Sequence, residues 1–345
     1  MINWNSKEAA ALVALQRGIP ITEAPFAELA QASGMGEDAL LALAKGLLDS
    51  GEARRFGAVF DARRLGYRSA LCAMHVPSAD LARVAAVVAA VPGVTHAYER
   101  GWPAELPAAS LGGPDGQVWP NLWFTLAAPS ADFAQTLDAL RTHCAPHAID
   151  ELPALRRFKI DVVFDARTRD RDERVEPRPQ PHLNAAPVAP LDTTQQTIVR
   201  LLQGGLPLNA RFFAPLAEQL NIPEAALLTQ LRGWQDSGVL RRIGLLLRHR
   251  KAGFKANGMC CWDVPGDDIT EAGRRVAAAR EVTHCYERPR SERFPFRLYA
   301  MIHTPSWAET QALFQRITHD AALPPGQLLL SLTEFKKTSM RFFEG

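Results

Sequence analysis

Leucine and alanine recur every three or four residues in three stretches near the start of the chain, and the same pattern returns in the second half. Apolar side chains at that spacing form one face of an α-helix, so the pattern predicts two sets of three helices. Short turns at residues 33–36 and 221–223 precede the third helix of each set, as in a helix-turn-helix unit. The predicted helices span residues 6–16, 25–32, 37–48, 193–203, 210–220 and 223–237.

A second pattern follows each set of helices. Stretches of alternating apolar and polar residues predict strands, because successive side chains of a strand point to opposite faces. Alanine-rich stretches between them predict further helices. In each half the order is strand, helix, two strands, helix and strand, which is that of a ferredoxin-like domain. The clearest of these elements span residues 68–76, 79–90 and 130–143, and then 256–264, 269–279 and 306–319.

Two motifs indicate that the chain carries one module twice. Arg-Arg-Phe-Gly at 54–57 matches Arg-Arg-Ile-Gly at 241–244, and Val-Thr-His-Ala-Tyr-Glu-Arg at 94–100 matches Val-Thr-His-Cys-Tyr-Glu-Arg at 282–288. The two copies of each motif are separated by nearly the same number of residues, which indicates a tandem duplication. The first copy carries an additional Gly/Pro-rich loop at 103–117.

A segment rich in proline and charged residues separates the copies, and it offers almost no large apolar side chain to a core. The sequence therefore predicts an α+β fold, a tandem duplication of a winged helix-turn-helix domain followed by a ferredoxin-like (βαββαβ) domain. The Arg-Arg-x-Gly motifs are expected to open the β-wings. The predicted boundaries are 1–57 and 58–165 for the first copy, 166–190 for the linker, and 191–244 and 245–345 for the second copy.

Composition narrows the class of protein. Of the 345 residues, 47% are hydrophobic and 22% are charged, as in an ordinary globular protein. The net charge of +2 provides no global basic field for nucleic acid. We expect a cytoplasmic location, because we find neither an apolar run of about 18 residues nor a signal-peptide pattern. The five cysteines show no CxxC spacing, so neither a disulfide framework nor a zinc site is expected.

The architecture resembles that of the Lrp/AsnC regulators over nearly all of both halves, so a tandem DNA-binding transcription regulator is one interpretation. A recognition helix needs Arg, Lys, Gln or Asn near its start to reach base edges. The third helices instead begin with Glu37 and Asp38, and with Glu224. Carboxylates at these positions would repel phosphate. We therefore expect no nucleic-acid partner.

Three motifs resemble the siroheme decarboxylase family, namely residues 241–244, 284–288 and 296–303. The two-copy length matches the fused form of the haem d1 branch. The resemblance implies a carboxy-lyase that removes two acetate carboxyl groups from siroheme to give 12,18-didecarboxysiroheme. It implies no added cofactor, because the iron belongs to the substrate. It also implies a pseudo-dimer of two halves within one chain, with further oligomerisation or related subunits left open.

Cationic side chains are the expected clamps for the eight carboxylates of siroheme, since a guanidinium can hold a carboxylate through two parallel hydrogen bonds. A solvated surface is the alternative for any single one. Repetition at matched positions favours the pairs Arg54/Arg241 and Arg100/Arg288. The candidate binding residues are Arg54, Arg55, Arg100, Arg241, Arg242, Arg288, Arg297, Tyr98, Lys159 and Lys336.

Loss of carbon dioxide leaves a methylene group that must gain a proton, and histidine titrates near neutral pH. Strand alternation places His284, Tyr286 and Arg288 on one face. A histidine hydrogen-bonded within the core is the alternative interpretation at either repeat. His303 could instead be an axial ligand of the substrate's iron. The candidate catalytic residues are His284, His96, His303 and Tyr286.

The two halves are not equivalent, because Ala127 stands where the second half has His303. We therefore expect one complete pocket, in the second half, with the first half as a scaffold or as a source of side chains across the interface. A non-catalytic tetrapyrrole carrier is a third interpretation of the chain. Surface positions are expected for the other histidines, His75, His143, His147, His182, His249 and His319.

Overall fold

The computed structural model describes residues 6–102, 118–160, 190–247 and 256–344. The first copy contains α1 (Ser6–Arg17), α2 (Pro25–Ser33), α3 (Glu37–Asp49), β1 (Ala53–Phe60), β2 (Tyr67–Met74), α4 (Ser78–Ala90), β3 (Val94–Gly101), β4 (Leu122–Pro129), α5 (Phe133–His143), β5 (Asp150–Pro153) and β6 (Arg156–Ile160). The second contains α6 (Thr193–Gln203), α7 (Phe213–Leu220), α8 (Glu224–Asp236), β7 (Leu240–Leu247), β8 (Ala256–Trp262), α9 (Ile269–Ala278), β9 (Val282–Glu287), β10 (Leu298–Thr304), α10 (Trp307–Asp320) and β11 (Gly326–Lys337).

These elements confirm the duplicated α+β architecture. Most helices begin and end within a few residues of the predicted positions. The starts of α5 and α7 differ most, by three residues each. Before α7, Asn209 forms a turn in which its Oδ1 accepts a hydrogen bond from the Arg211 amide at 3.1 Å. The predicted loop at 103–117 and all but the last residue of the predicted linker lie outside the described residues. No helix in the described ranges is long and apolar enough to cross a membrane.

The wing strands of the two copies pair with each other. β1 and β7 run antiparallel, with Gly57 opposite Gly244. Glycine is needed at this crossing, because a Cβ at Gly57 would lie 2.8 Å from the carbonyl oxygen of Gly204, and one at Gly244 would lie 2.6 Å from that of Leu15. The repeated Arg-Arg-x-Gly motif therefore marks an interface between the copies, and each wing strand takes its partner from the other half.

The helix-turn-helix units of the two copies share one apolar core. Phe56 of β1 lies at its centre, with its ring 5.8 Å from that of Phe26 and 5.1 Å from that of Phe212. All three side chains are buried. Because the core is built from both copies, the two units form a single body.

In the part of the chain that the structure describes, nine strands form one sheet in the order β5-β2-β4-β3-β11-β8-β10-β9-β6. Only residues 154–155 separate β5 from β6, so the two ends of the sheet are joined through the chain. β11 pairs with β8 of its own copy and then with β3 of the first copy. In the same way, β5 pairs with β2 and β6 pairs with β9. The last strand of each copy therefore continues into the other copy.

The sheet has helices on its outer side and a shared core on its inner side. The helices α4 and α5 pack on the first half, and α9 and α10 pack on the second. The inner core takes side chains from both halves, among them Trp123, Phe294 and Tyr299. Ala97 of β3 and Cys285 of β9 belong to the helix-covered cores, so their strand neighbours point inward. All five cysteines are buried and free.

Candidate functional site

The first-half cluster consists of His96, Tyr98 and Arg100 on the inner face of β3. The rings of His96 and Tyr98 lie 6.3 Å apart, and the Arg100 Cζ lies 5.3 Å from the centre of the Tyr98 ring. The His96 Nδ1 lies 3.0 Å from the Thr95 hydroxyl. Strand alternation therefore brings an imidazole, a phenol and a guanidinium onto one surface, with Arg100 in range of a cation–π contact.

The second-half cluster repeats this arrangement, with His284 and Tyr286 on β9 and Arg288 directly after it. The two rings again lie 6.3 Å apart, and the Arg288 Cζ lies 5.0 Å from the Tyr286 ring. The same Cζ lies 5.7 Å from the ring of Tyr299 on β10. The His284 Nδ1 lies 3.0 Å from the Thr283 hydroxyl, as in the first half. The two repeats of the motif thus build two matched clusters.

Cations surround the histidine of the first-half cluster. Lys337 lies opposite His96 in the pairing of β11 with β3. Burial, together with the charges of Lys337, Arg54 and Arg100, lowers the pKa of His96 to about 4. The imidazole is therefore neutral at neutral pH, and the surface around it favours an anion. Arg54, one of the predicted binding residues, acts on His96 through its charge, whereas Lys337 was not among the predicted site residues.

Acid is expected to destabilise the protein through His96. Its pKa is about 4 in the folded protein and about 6.5 in an unfolded chain, so the unfolded state takes up the proton first. The stability contributed by the neutral imidazole is complete above about pH 6.5 and is lost as the pH falls towards 4. His96→Gln should lose less stability between pH 7 and pH 4.5, by up to about 3 kcal/mol. Urea unfolding of both proteins at the two pH values measures this, and equal losses would contradict a buried neutral imidazole.

The second-half cluster is surrounded by a charge network that the sequence did not reveal. Asp61 accepts a hydrogen bond from Arg241 at 2.6 Å and lies 3.8 Å from Arg157. Burial acts to raise the pKa of Asp61, but the charge and hydrogen bond of Arg241 outweigh it and hold the pKa below its usual value. Burial also raises the pKa of Tyr286, against the charges of Arg288, Arg157, Arg241 and Arg63. Asp61 and Arg157 belong to no repeated motif, and only the pairing of β6 with β9 places Arg157 opposite Tyr286.

His303 lies on the inner face of β10, on the same side as Met301 and Tyr299. Met301 lies opposite His284 in the pairing of β10 with β9. His303 is therefore the next inward-facing residue of β10 after Met301, the residue opposite His284. Ala127 stands at the matched position of β4. The difference between the halves that appears in the sequence thus falls on the surface that carries the clusters.

Lys159 and Lys336 hold helix ends rather than facing the clusters. The Lys159 Nζ donates to the carbonyl oxygen of Ala279, directly after α9, at 2.9 Å. The Lys336 Nζ donates to the carbonyl oxygens of Ala89 and Val91, at the end of α4, at 2.7 and 2.9 Å. The final carbonyls of a helix lack partners within the helix, which explains a lysine at each position. Both lysines lie outside the surface where their matched positions had suggested a role.

Arg55 contacts a helix end, and Arg242 lies beside one. The Arg55 guanidinium donates to the carbonyl oxygens of Gln203 at 2.5 Å and Gly204 at 3.0 Å, where α6 ends. The Arg242 Cβ lies 3.3 Å from the position that a Cβ on Gly18 would take, beside the end of α1. The second arginine of each Arg-Arg-x-Gly motif therefore lies at the crossing of the copies, while the first lies near a cluster.

Arg297 contacts the outer side of β9. Its guanidinium donates to Glu287 at 2.7 Å, and the same carboxylate lies 3.5 Å from Arg156. Glu287 is the last residue of β9 and follows the inward-facing Tyr286, so it points away from the inner face. Arg297 is therefore separated from the second-half cluster by the strand itself.

The four remaining histidines that the structure describes divide into two groups. His143 and His319 are exposed, as predicted, whereas His75 and His147 are partly buried. The surface prediction was wrong for His147 because its ring packs beside Asp80, at 3.5 Å. His182 and His249 lie outside the described residues. Within the described ranges, no three His, Cys, Asp or Glu residues are grouped so that they could hold a metal ion.

Two family models match the chain, and each matches both halves. The siroheme decarboxylase NirDL-like HTH domain matches residues 8–54 and 195–241. The AsnC-like ligand binding domain matches residues 64–159 and 251–336. The predicted resemblance to both families is therefore confirmed, and so is the duplication of the module.

Similarity to characterised proteins extends over almost the whole chain. The siroheme decarboxylase of Hydrogenobacter thermophilus is 36% identical over 332 residues, which cover 95% of this chain and 92% of that protein. The siroheme decarboxylase NirDL subunit of Paracoccus denitrificans is 31% identical over 333 residues, or 93% of each chain. The crystal structure of siroheme decarboxylase NirDL in complex with an iron-uroporphyrin III analogue matches with a TM-score of 0.72 at 32% identity, covering 98% of this chain and 95% of that one. The chain belongs to the siroheme decarboxylase family, whose members are carboxy-lyases.

Proposed function

We propose that this protein removes two acetate carboxyl groups from siroheme and yields 12,18-didecarboxysiroheme, the reaction of the haem d1 branch. The proposal uses no cofactor, because the substrate carries its own iron. The observation that carries it is the pair of inward-facing His-Tyr-Arg clusters, in a chain similar to siroheme decarboxylases over 95% of its length.

Binding is assigned to the cations around the clusters. Siroheme carries eight carboxylates, and arginine holds a carboxylate better than any other side chain. Arg54, Arg100 and Lys337 surround His96, and the charges of Arg241 and Arg288 act on Tyr286. These cations act on the clusters of both halves, which lie on the inner face of the sheet. A flat anionic ring placed on that face would therefore be held at its rim.

Apolar side chains beside each histidine suit the ring itself. Met301 lies opposite His284. In the first half, Leu71 lies opposite Thr125, which in turn lies opposite His96. Met301 and Leu71 are only partly buried by the inner core, so they leave apolar surface next to the proposed proton donors.

Each step converts one acetate arm and one proton into a methyl group and carbon dioxide, with no oxidant or reductant. His284 and His96 are the proposed proton donors, and Tyr286 is a neighbouring donor. His96 is neutral in the free protein. A bound polyanion would offset the charges of Lys337 and Arg54 and would raise the pKa of His96, so substrate binding itself prepares the acid.

The test is anaerobic incubation of the purified chain with siroheme, followed by mass spectrometry of the tetrapyrrole. We expect a product lighter by two carbon dioxide units, without an added nucleotide, flavin or pyridoxal cofactor. Heat-denatured protein is the control for spontaneous decarboxylation. Tight binding of siroheme without a change in its mass would indicate a non-catalytic tetrapyrrole carrier rather than an enzyme. A tight, sequence-selective and salt-dependent DNA complex would favour the regulator instead.

A further inference from the structure

A cavity of about 140 Å³ lies beside Arg100, between the end of β3, the segment before β4, and β11. Trp102 and Trp119 form part of its wall, together with Gln327. Arg100 is the one charged side chain among the described residues that line it. Ligand pockets for larger molecules are about 300–1,000 Å³, so this cavity has room for a ligand of only a few atoms.

Among the described residues of this lining, two hydrogen-bond donors are buried without a partner. Arg100 is 6% exposed, and its Nη1 has no hydrogen-bond partner among the described residues. The Trp119 Nε1 is likewise buried and unpartnered within the described ranges. Burial lowers the pKa of Arg100 only to about 10, so the guanidinium remains a cation at neutral pH. Unpaired buried donors are costly, which indicates a ligand that accepts hydrogen bonds and carries negative charge.

The corresponding arginine of the second half has a partner for its Nη1, although its Nε is buried without one among the described residues. The Arg288 Nη1 donates to the carbonyl oxygen of Leu152 in β5 at 2.5 Å. Leu329 is the counterpart of Leu152 in β11, since the two pair with matched residues of β8 and β2. Leu329 lines the cavity instead. The two clusters are therefore alike in their rings and differ in what the arginine binds.

A carboxylate of the protein stands at the matched position of the second half. Asp150 of β5 pairs with Ala73, and its counterpart Gln327 of β11 pairs with Cys261. The Asp150 carboxylate is bound by Arg293 and lies close enough to Tyr299 to affect its pKa. The first half has a neutral amide there, whose Nε2 donates to a backbone carbonyl oxygen. The second half thus has a carboxylate at this matched position, and the first half has a neutral amide there.

We propose that the cavity beside Arg100 binds a small carboxylate-type anion, such as formate, acetate or bicarbonate, through the Arg100 Nη1 and the Trp119 Nε1. In the first half, the bound anion corresponds to the carboxylate that Asp150 supplies in the second half. The same chemistry has two possible sources, a free anion from solution and a carboxylate arm of a tetrapyrrole whose ring lies outside the cavity. Binding of the free anion does not depend on the proposed decarboxylation.

The test is a calorimetric titration of the full chain with sodium formate at constant ionic strength, without a tetrapyrrole. We expect saturable binding by the unchanged protein. Trp119→Phe keeps the aromatic wall but removes the donor, and should weaken binding by roughly tenfold or more. Arg100→Gln should abolish it. Arg288→Gln is the matched control, and should bind formate as the unchanged protein does.

Absence of saturable formate binding by the unchanged protein would overturn the proposal. Equal affinities of Arg100→Gln and Arg288→Gln would do the same. If Arg100→Gln does not fold, Trp119→Phe decides, and an unaltered affinity in that variant counts against the site. A second titration, of protein saturated with an iron-uroporphyrin III analogue, identifies the source. Competition with formate assigns the cavity to a carboxylate arm, and undisturbed formate binding assigns it to a free anion.

Discussion

Replacement of His284 by alanine is expected to slow single-turnover decarboxylation of siroheme by roughly 100- to 10,000-fold, because it removes a proton donor. The second half should show the large effect, since His303 lies on the same inner face and has only Ala127 as its counterpart. Siroheme affinity should change much less, because Arg288 and the other cations remain. Anaerobic single-turnover mass spectrometry beside spectroscopic titration separates the two quantities.

His96→Ala is the matched control, since it removes the same ring from the first-half cluster. We expect a smaller loss of rate there, because that cluster lacks an equivalent of His303. Equal loss of rate in the two variants would defeat the model of one complete pocket. That result would indicate two working sites, or one site to which both histidines contribute.

Asp61→Ala is expected to lower the free energy of unfolding by about 3 kcal/mol, because it removes a buried carboxylate that lies between two arginines. The Arg157 side chain is only 6% exposed, and that of Asp61 is 13% exposed. Arg241 is less buried, so its contribution is reduced by solvent. Urea unfolding at pH 7 measures the change.

The control for this effect is Asp49→Ala, which breaks an exposed pair with Lys45 on α3. That substitution should cost less than about 1 kcal/mol. Asp61→Ala should also weaken siroheme binding, because Asp61 holds Arg241 and Arg157 beside Tyr286. A loss of stability no larger than that of Asp49→Ala would contradict a supporting role for the network.

Local sequence patterns were sufficient to predict the helices and the repetition of the module. α6 lies at Thr193–Gln203, as predicted, because its apolar face has a helical period and Asp192 and Gln195 form a capping box at its start. Alternation along β3 and β9 was likewise sufficient to place each His-Tyr-Arg triplet on one face. These features depend on residues close together in the chain, so the sequence carries them directly.

The cationic residues that recur in both copies show that repetition was insufficient to identify substrate-binding residues. Arg54 and Arg55 are adjacent and both recur, yet Arg54 acts on His96 while Arg55 binds the carbonyl oxygens after α6. Lys159 recurs as Lys336, and both lysines hold helix ends. A repeated residue can thus be kept for the structure of the repeat, and sequence alone does not separate that role from substrate binding.

The amino-acid sequence by itself determined the helices, the two copies of the module and the inward-facing triplets, because periodicity and motif spacing are local properties. The tertiary structure decided that β1 pairs with β7, that β6 and β11 continue into the opposite copy, and that Lys337 and Arg157 therefore lie beside the clusters. A strand edge can pair with any other edge, and the choice depends on which distant apolar surfaces are buried together. That choice, made between segments far apart in the chain, places the charges around each cluster.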